Sequence, residues 1–266
     1  MSKTTSGIPT TVKQVPNLVK RLLIVSQPKV GKTHMLTKLP SNYIINFDNS
    51  LEHFGANGVD LIDWCMSENI NPIAGLKRIA KHIADEKKAN NGVGPYDYIT
   101  IDTVTELEKH CETYAQIKYM RTTQGENFKG NILTDLEYGA GYLKLRDAVN
   151  EMLRLYWNLP NKCLILTGHL RESSVKARGT KVVAQDIGLT GKIKQIVSQK
   201  CDAIGTLYRD SENNNHNILS FITQSDDLIT GARPQHLANS EFLISEMDED
   251  GDLITHWEVI FPDLEN

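Results

Sequence analysis

The sequence predicts an α/β fold, a mainly parallel sheet flanked by helices with an antiparallel hairpin added at one side. Three observations lead there. The runs RLLIVS (21–26), YIINF (43–47) and KCLILTGH (162–169) are apolar almost throughout, as strands covered on both faces are. Segments of helical length and amphipathic pattern separate them. Two later apolar runs are joined by the turn-forming DSENNNH (210–216).

Taken in order, residues 1–18 are polar and turn-rich and read as a flexible N-terminal arm. Strand 21–26 runs through G-K-T into a short helix from Lys32 to about Lys38. Strand 43–47 follows. A helix spans Pro72 to Asn90, with proline at a first-turn position where its missing N–H costs nothing. YDYITID (96–102) is a strand, and Thr105 to about Tyr119 a helix entered through threonines suited to capping. The spacing predicts a helix from Gly141 to Leu159, the strand 162–169, and a helix from Gly191 to Gln199. DAIGTLYR (202–209) and ILSFIT (218–223) form the hairpin, and THWEVIF (255–261) reads as an edge strand. The domain reading is an arm over 1–18, an α/β core over 19–240 and an acidic segment over 241–266. Two stretches fit neither class and read as long functional loops, Met120 to Asp135 and Leu170 to Gly188.

A chain of 266 residues can bury a full-sized core. Its 40% hydrophobic and 23% charged content is that of an ordinary soluble protein. No apolar run has bilayer-spanning length, and MSKTTSGIPTTVKQVP lacks a signal peptide's hydrophobic core, so a cytoplasmic location is expected. Cys65, Cys111, Cys163 and Cys201 are widely separated, which suggests neither a zinc site nor a disulfide framework. A net charge of -4 by itself argues weakly against a nucleic-acid partner, because phosphate binding needs local positive charge. Its distribution says more. Arg171, Lys176, Arg178, Lys181, Lys192, Lys194 and Lys200 cluster in one stretch, while residues 241–266 are acidic and hold no Lys or Arg.

S-Q-P-K-V-G-K-T (26–33) follows the first buried strand, where a phosphate-binding P-loop has G-x-x-x-x-G-K-[ST]. In such a loop backbone N–H groups point at phosphates, the lysine reaches the outer phosphates and the hydroxyl residue holds magnesium. The nucleotide-binding residues are then Ser26, Gln27, Pro28, Lys29, Val30, Gly31, Lys32, Thr33 and His34, with ATP and Mg2+ as cofactors. Ser26 departs from the glycine of the pattern. Asp102 ends its strand as a Walker B carboxylate does, holding the magnesium shell opposite Thr33; capping the next helix is its plainer alternative, which Thr103 or Thr105 would relieve. Glu52, beyond the carboxyl end of YIINF, is the chosen group to polarise water, with Asp48 and Glu106 as alternatives. SEMDEDGD lacks the EF-hand spacing and is not read as a calcium site.

In order, S-Q-P-K-V-G-K-T, FDNSLE, ITIDTVTEL, a strand closing in LTGH, a basic loop and L-T-G-K resemble the RecA-type core ATPases over roughly residues 20–240. They are similar in particular to a small phage-encoded RecA-like group linked to single-strand annealing and recombination, a likeness that EYGAGYLKLRDAV and GAR extend. The resemblance implies a RecA-like P-loop NTPase core and a DNA-dependent ATP hydrolase of the host cytoplasm. It implies that His169 senses the γ-phosphate, with Thr167 as second candidate; relatives commonly carry Gln or Asn there. It assigns the two long loops to single-stranded DNA, through Arg171, Lys176, Arg178 and Lys181 in the later one and Arg121, Phe128 and Lys129, beside Tyr119, in the earlier. It implies a homo-oligomer, ring or filament, with ATP between subunits and Arg233 as a finger acting on the neighbour's site. A single-stranded-DNA-binding protein is a further expected partner. The alternative is a P-loop regulatory or loader ATPase acting on a protein partner; a small-molecule kinase is disfavoured, because no arginine-rich lid is found.

Overall fold

The computed structural model describes residues 2–3, 9–11, 15, 17–130, 132–177, 180–213, 215–222 and 230–264; for 2–3, 9–11, 137, 172–177 and 180–186 it describes the backbone. In the arm, β1 (Ser2–Lys3) pairs with β2 (Pro9–Thr11). The core strands are β3 (Arg21–Ser26), β4 (Asn42–Asn46), β5 (Gly58–Asp60), β6 (Tyr98–Asp102), β7 (Cys163–Ala177), β8 (Thr180–Ile187), β9 (Ala203–Arg209), β10 (His216–Ser220), β11 (Gly231–Ala232), β12 (Glu241–Met247) and β13 (Leu253–Thr255). The helices are α1 (Lys32–Thr37), α2 (Leu61–Ser67), α3 (Pro72–Ala89), α4 (Val104–Met120), α5 (Ala140–Tyr156) and α6 (Gly191–Lys200).

The core strands form one sheet in the order β13-β12-β10-β9-β3-β7-β6-β4-β5, with β11 pairing β9 and β8 pairing β7 off that path. From β5 to β9 every neighbouring pair is parallel, and from β9 to β13 every pair is antiparallel. This is the expected fold class, with the antiparallel part larger than one hairpin. The period of two explains the layering. Leu23 and Val25 of β3 enter a core shared with α3, α4, α5 and α6, whereas Leu22 and Ile24 enter a second core with Met35 and Leu36 of α1. β7 lies between β3 and β6, so the P-loop strand and the strand ending in Asp102 are held one strand apart.

Helix boundaries follow local chemistry. Asn71 Oδ1 accepts from Ala74 N (2.8 Å) before Pro72, and Thr103 Oγ1 accepts from Glu106 N (3.3 Å). α2 and β5 have no counterpart in the sequence reading. The four cysteines are buried and unpaired. No described helix is long and apolar enough to cross a membrane.

Two expectations are corrected. Residues 170–188 are not a loop: β7 runs on past the sheet and pairs antiparallel with β8, Ala177 opposite Thr180 and Lys176 opposite Lys181. Valines at 175, 182 and 183 suit paired strands. Nor is 255–261 an edge strand. β13 ends at Thr255, and residues Trp257–Val259 form a 3-10 turn. Trp257, Ile260 and Phe261, spaced for one helical face, are buried against the α1 side of the sheet. The sheet continues past residue 240 through β12, and Asp248 closes the turn to β13, its Oδ1 accepting from Asp250 N (3.0 Å) and Asp252 N (2.8 Å).

Trp257 is the main tie of this segment, 2% exposed with its indole Nε1 donating to the Met35 carbonyl of α1 at 3.1 Å. Trp257→Ala is expected to destabilise the fold by about 3–5 kcal/mol, the usual range for emptying a large aromatic site. Urea unfolding of the variant against the parent chain measures it.

Candidate nucleotide site

The carboxyl ends of β3, β4, β6 and β7 meet on one edge of the sheet, the edge where open α/β sheets bind ligands. Residues 27–31 form the loop between β3 and α1. Lys29 (φ 64°) and Gly31 (φ 105°) both take positive φ, a left-handed backbone of the kind found in anion-binding loops. At Gly31 a β-carbon would be strained by its φ and would lie 3.6 Å from Asn217 Nδ2 of β10.

Lys32 is 6% exposed. Its Nζ donates to Ser26 Oγ at 2.9 Å and lies 3.5 Å from His169 Nδ1, opposite Ser26 in the β3–β7 register. Burial lowers the Lys32 pKa, against the attraction of Asp102 and Asp48. Asp102, 1% exposed, accepts from Thr33 Oγ1 at 2.6 Å and, through its other oxygen, from Thr167 Oγ1. The capping alternative for Asp102 is therefore removed: Thr103 caps α4, and Asp102 faces Thr33. Thr167, the second candidate for phosphate sensing, is fully buried and committed to the Asp102 carboxylate.

Magnesium prefers oxygen ligands and keeps waters and phosphate oxygens in its shell, needing only one or two protein groups. The Thr33 hydroxyl and Asp102 carboxylate, converging beside the loop, fit that requirement. Among the described residues no cluster of three or more His, Cys, Asp or Glu forms a protein-only metal cage.

The carboxylates separate. Burial raises the Asp48 pKa, with Asp102 and Glu106 adding to the rise and His169 and Lys32 opposing it, so Asp48 shares the field of the site. Its turn is braced from a distance: Asn46 Nδ2 donates to Asp60 Oδ1 (2.6 Å) and Ser50 Oγ (3.1 Å), and Leu51 N to the same Asp60 oxygen (3.1 Å). Glu52 is exposed on the Leu51–His53 turn, and no described interaction brings it to Lys32, Asp102 or His169. Glu106 lies in the first turn of α4, paired with Lys109 (2.6 Å). His34 stacks on Phe54, centroids 4.7 Å apart.

Arg171 is exposed at the root of the β7–β8 ribbon and lines a groove of about 420 Å³ with His169, Glu106, Glu108 and Thr190. Arg178 and the side chains of Lys176 and Lys181 lie outside the described residues. Arg121 and Lys129 are exposed, and Phe128 packs edge-on against Tyr119 at 5.7 Å. A 17-residue helix separates Arg121 from the Asp102 end, about 25 Å along its axis. Arg233 lies at the opposite edge of the sheet. It pairs with Asp202 (3.1 Å), whose other oxygen accepts from Lys20 N and Arg21 N, and donates to the Gln199 carbonyl at 2.9 Å. Sequence reasoning missed Asn46, Asp60 and Asn217. Only Asn46, at a strand end, carried a local signal.

Burial lowers the pKa of His34, His110 and His169. Below the ordinary histidine value of about 6.5, the unfolded chain binds protons that these buried rings resist. Stability is therefore lost as pH falls through that value. At still lower pH the raised Asp48 and Glu108 carboxyls act oppositely, because the native state then holds the extra protons. Urea unfolding at pH 7.5 and 6.0 is expected to show the loss, and His169→Gln to make it smaller.

A family model described as an AAA domain matches residues 19–233. Among solved structures the chain is similar to one titled "Crystal structure of the RadB recombinase", at 14% identity and a TM-score of 0.39, covering 89% of this chain and 90% of that one. The match spans the phosphate loop, the Asp102 strand and the β7–β8 ribbon, and on it the chain belongs to the AAA domain family.

Proposed function

We propose that the chain is a Mg-ATP-dependent ATPase with a RecA-like core that binds single-stranded DNA and acts in recombination or strand annealing. One observation carries the reading. β7 is a single 15-residue strand whose middle places His169 beside Lys32 and whose far half is one arm of the basic ribbon. On this reading the phosphate site and the polynucleotide surface share one continuous strand.

The chain's own residues divide the work. Amides of the loop 29–33 hold the phosphates of ATP, and Lys32 meets its outer phosphates. Thr33 and Asp102 would hold the magnesium ion, which would supply positive charge to neutralise the phosphate oxygens. Asp48 orients water and takes its proton, its raised pKa suiting a group that must accept one. His169, neutral because its pKa is lowered, registers the terminal phosphate and transmits its presence along β7. Arg171, Lys176, Arg178 and Lys181 track the DNA backbone without reading its sequence. Assembly of several copies along the strand follows from this reading, and the coupling is reciprocal: what DNA gains from ATP, ATP gains from DNA.

ATP hydrolysis is expected to rise when single-stranded DNA is added and to vanish in Lys32→Ala. In the triple variant Lys176→Ala, Arg178→Ala, Lys181→Ala the stimulation is expected to disappear. The slope of log affinity against log salt should flatten by about two, the share of three single-strand phosphate contacts. Turnover indifferent to DNA at low salt would overturn the polynucleotide reading in favour of a loader acting on a protein.

A further inference from the structure

Ser26 occupies the position where the phosphate-loop pattern has its first glycine, and it makes contacts that glycine cannot. It is fully buried. Its hydroxyl donates to the Gln27 carbonyl, Oγ to O 2.7 Å. With that proton committed, the oxygen offers Lys32 only lone pairs, and Lys32 Nζ donates into them at 2.9 Å. The bonds therefore run one way, from Lys32 to Ser26 to the first peptide of the loop. On its other side the same ammonium faces His169 Nδ1 at 3.5 Å. An ammonium has three protons on a rotatable stem. One is given a direction by Ser26 of β3, His169 of β7 stands beside the ammonium, and N–H is left over for the loop.

We infer that Ser26 is a positioning residue: its hydroxyl holds Lys32 so that one N–H of the ammonium points at the outer phosphates of a bound nucleoside triphosphate. The inference rests on reading residues 26–33 as a phosphate site. It also explains how the loop works without its glycine. A glycine there supplies conformational freedom; Ser26 already ends β3 in regular pairing with Leu207 and His169, so freedom is not what the position needs. What it needs is an acceptor for a cation with almost no access to water.

The test compares Ser26→Gly, Ser26→Ala and Ser26→Thr with the parent chain. Calorimetry with magnesium is run against ADP and a non-hydrolysable ATP analogue, and thermal unfolding is followed without nucleotide. Gly and Ala are expected to weaken triphosphate binding about tenfold, the scale of one lost hydrogen bond to a charged group. ADP, lacking the terminal phosphate, should weaken less, so the ratio of triphosphate to diphosphate affinity falls. Thr, which keeps the hydroxyl, should restore both affinity and ratio. A merely structural role would weaken the two nucleotides equally. That result, or triphosphate binding in Ser26→Gly as tight as in the parent, overturns the inference. Should Ala fail to fold, Gly, the residue the pattern itself carries, gives the same comparison. Absence of binding by the parent chain would instead overturn the phosphate-site reading, and this inference with it.

Discussion

A buried ammonium and a buried carboxylate stand at the end of one sheet, and satisfying them constrains much of the architecture around them. Taking either ion out of water is costly unless partners replace the lost hydration. Lys32 receives Ser26 from β3 and faces His169 of β7. Asp102 receives Thr33 from α1 and Thr167 from β7. Each ion is thus served by two elements that are not adjacent in sequence, and β7 serves both. Inserting β7 between β3 and β6 makes this possible: adjacent, the two outer strands would leave no middle strand to carry Thr167 and His169 two residues apart on one face. A partner removed from either ion exposes the full desolvation cost of the other group, so the site and the sheet's strand order stand or fall together.

The same requirement explains the antiparallel extension. α1 has six residues, too few to be stable as an isolated helix. It must be held by burial, and the sheet supplies that through Leu22 and Ile24 on one side and the C-terminal turn on the other. Trp257, 222 residues downstream, fills the gap and donates to the Met35 carbonyl. β10 contributes Asn217 beside Gly31, itself fixed by Ser245 of β12 at 3.0 Å. The strands after β9 therefore act as a wall behind the phosphate loop and its helix, which ties an acidic, otherwise unremarked segment to the geometry of the site.

Much of this was legible in the sequence where the signal is local. β3 matches its expected bounds, and β4, β6, β9, β10, the start of β7 and five helices are found within a few residues, because apolar runs and capping residues report on their own surroundings. Lys32, Thr33 and Asp102 were legible for the same reason, each being fixed by a short pattern. The failures share a cause. The ribbon reads as a loop because its strand pairing leaves the sheet and its residues alternate without a strong apolar face. EFLISEM was passed over because its acidic neighbours mask a strand whose partner, β10, is the one fact that identifies it. THWEVIF has β-forming composition, yet burial of three residues on one helical face decided its shape. Asp48, an alternative to Glu52 in the sequence, shares the field of Lys32 and Asp102, and its turn is braced by Asp60, 14 residues from Asn46, which no local pattern announces.

The continuity of β7 bears on how the two functions proposed for this chain would be joined. A loop between the phosphate site and the ribbon would let each move alone, and coupling would then need an ordering step. A strand paired on both sides up to Leu166 and carrying a ribbon from Leu170 cannot shift at His169 without moving what lies beyond. Between those points the strand is free on its β6 side, since pairing with β6 ends at Ile101 opposite Leu166. Residues 167–169 are therefore the stretch where β7 has one neighbour rather than two, and they hold the groups that touch Asp102 and Lys32. The single-sided pairing thus falls where the ions are, which is the condition the proposed coupling would need for a change in phosphate contact to reach the ribbon.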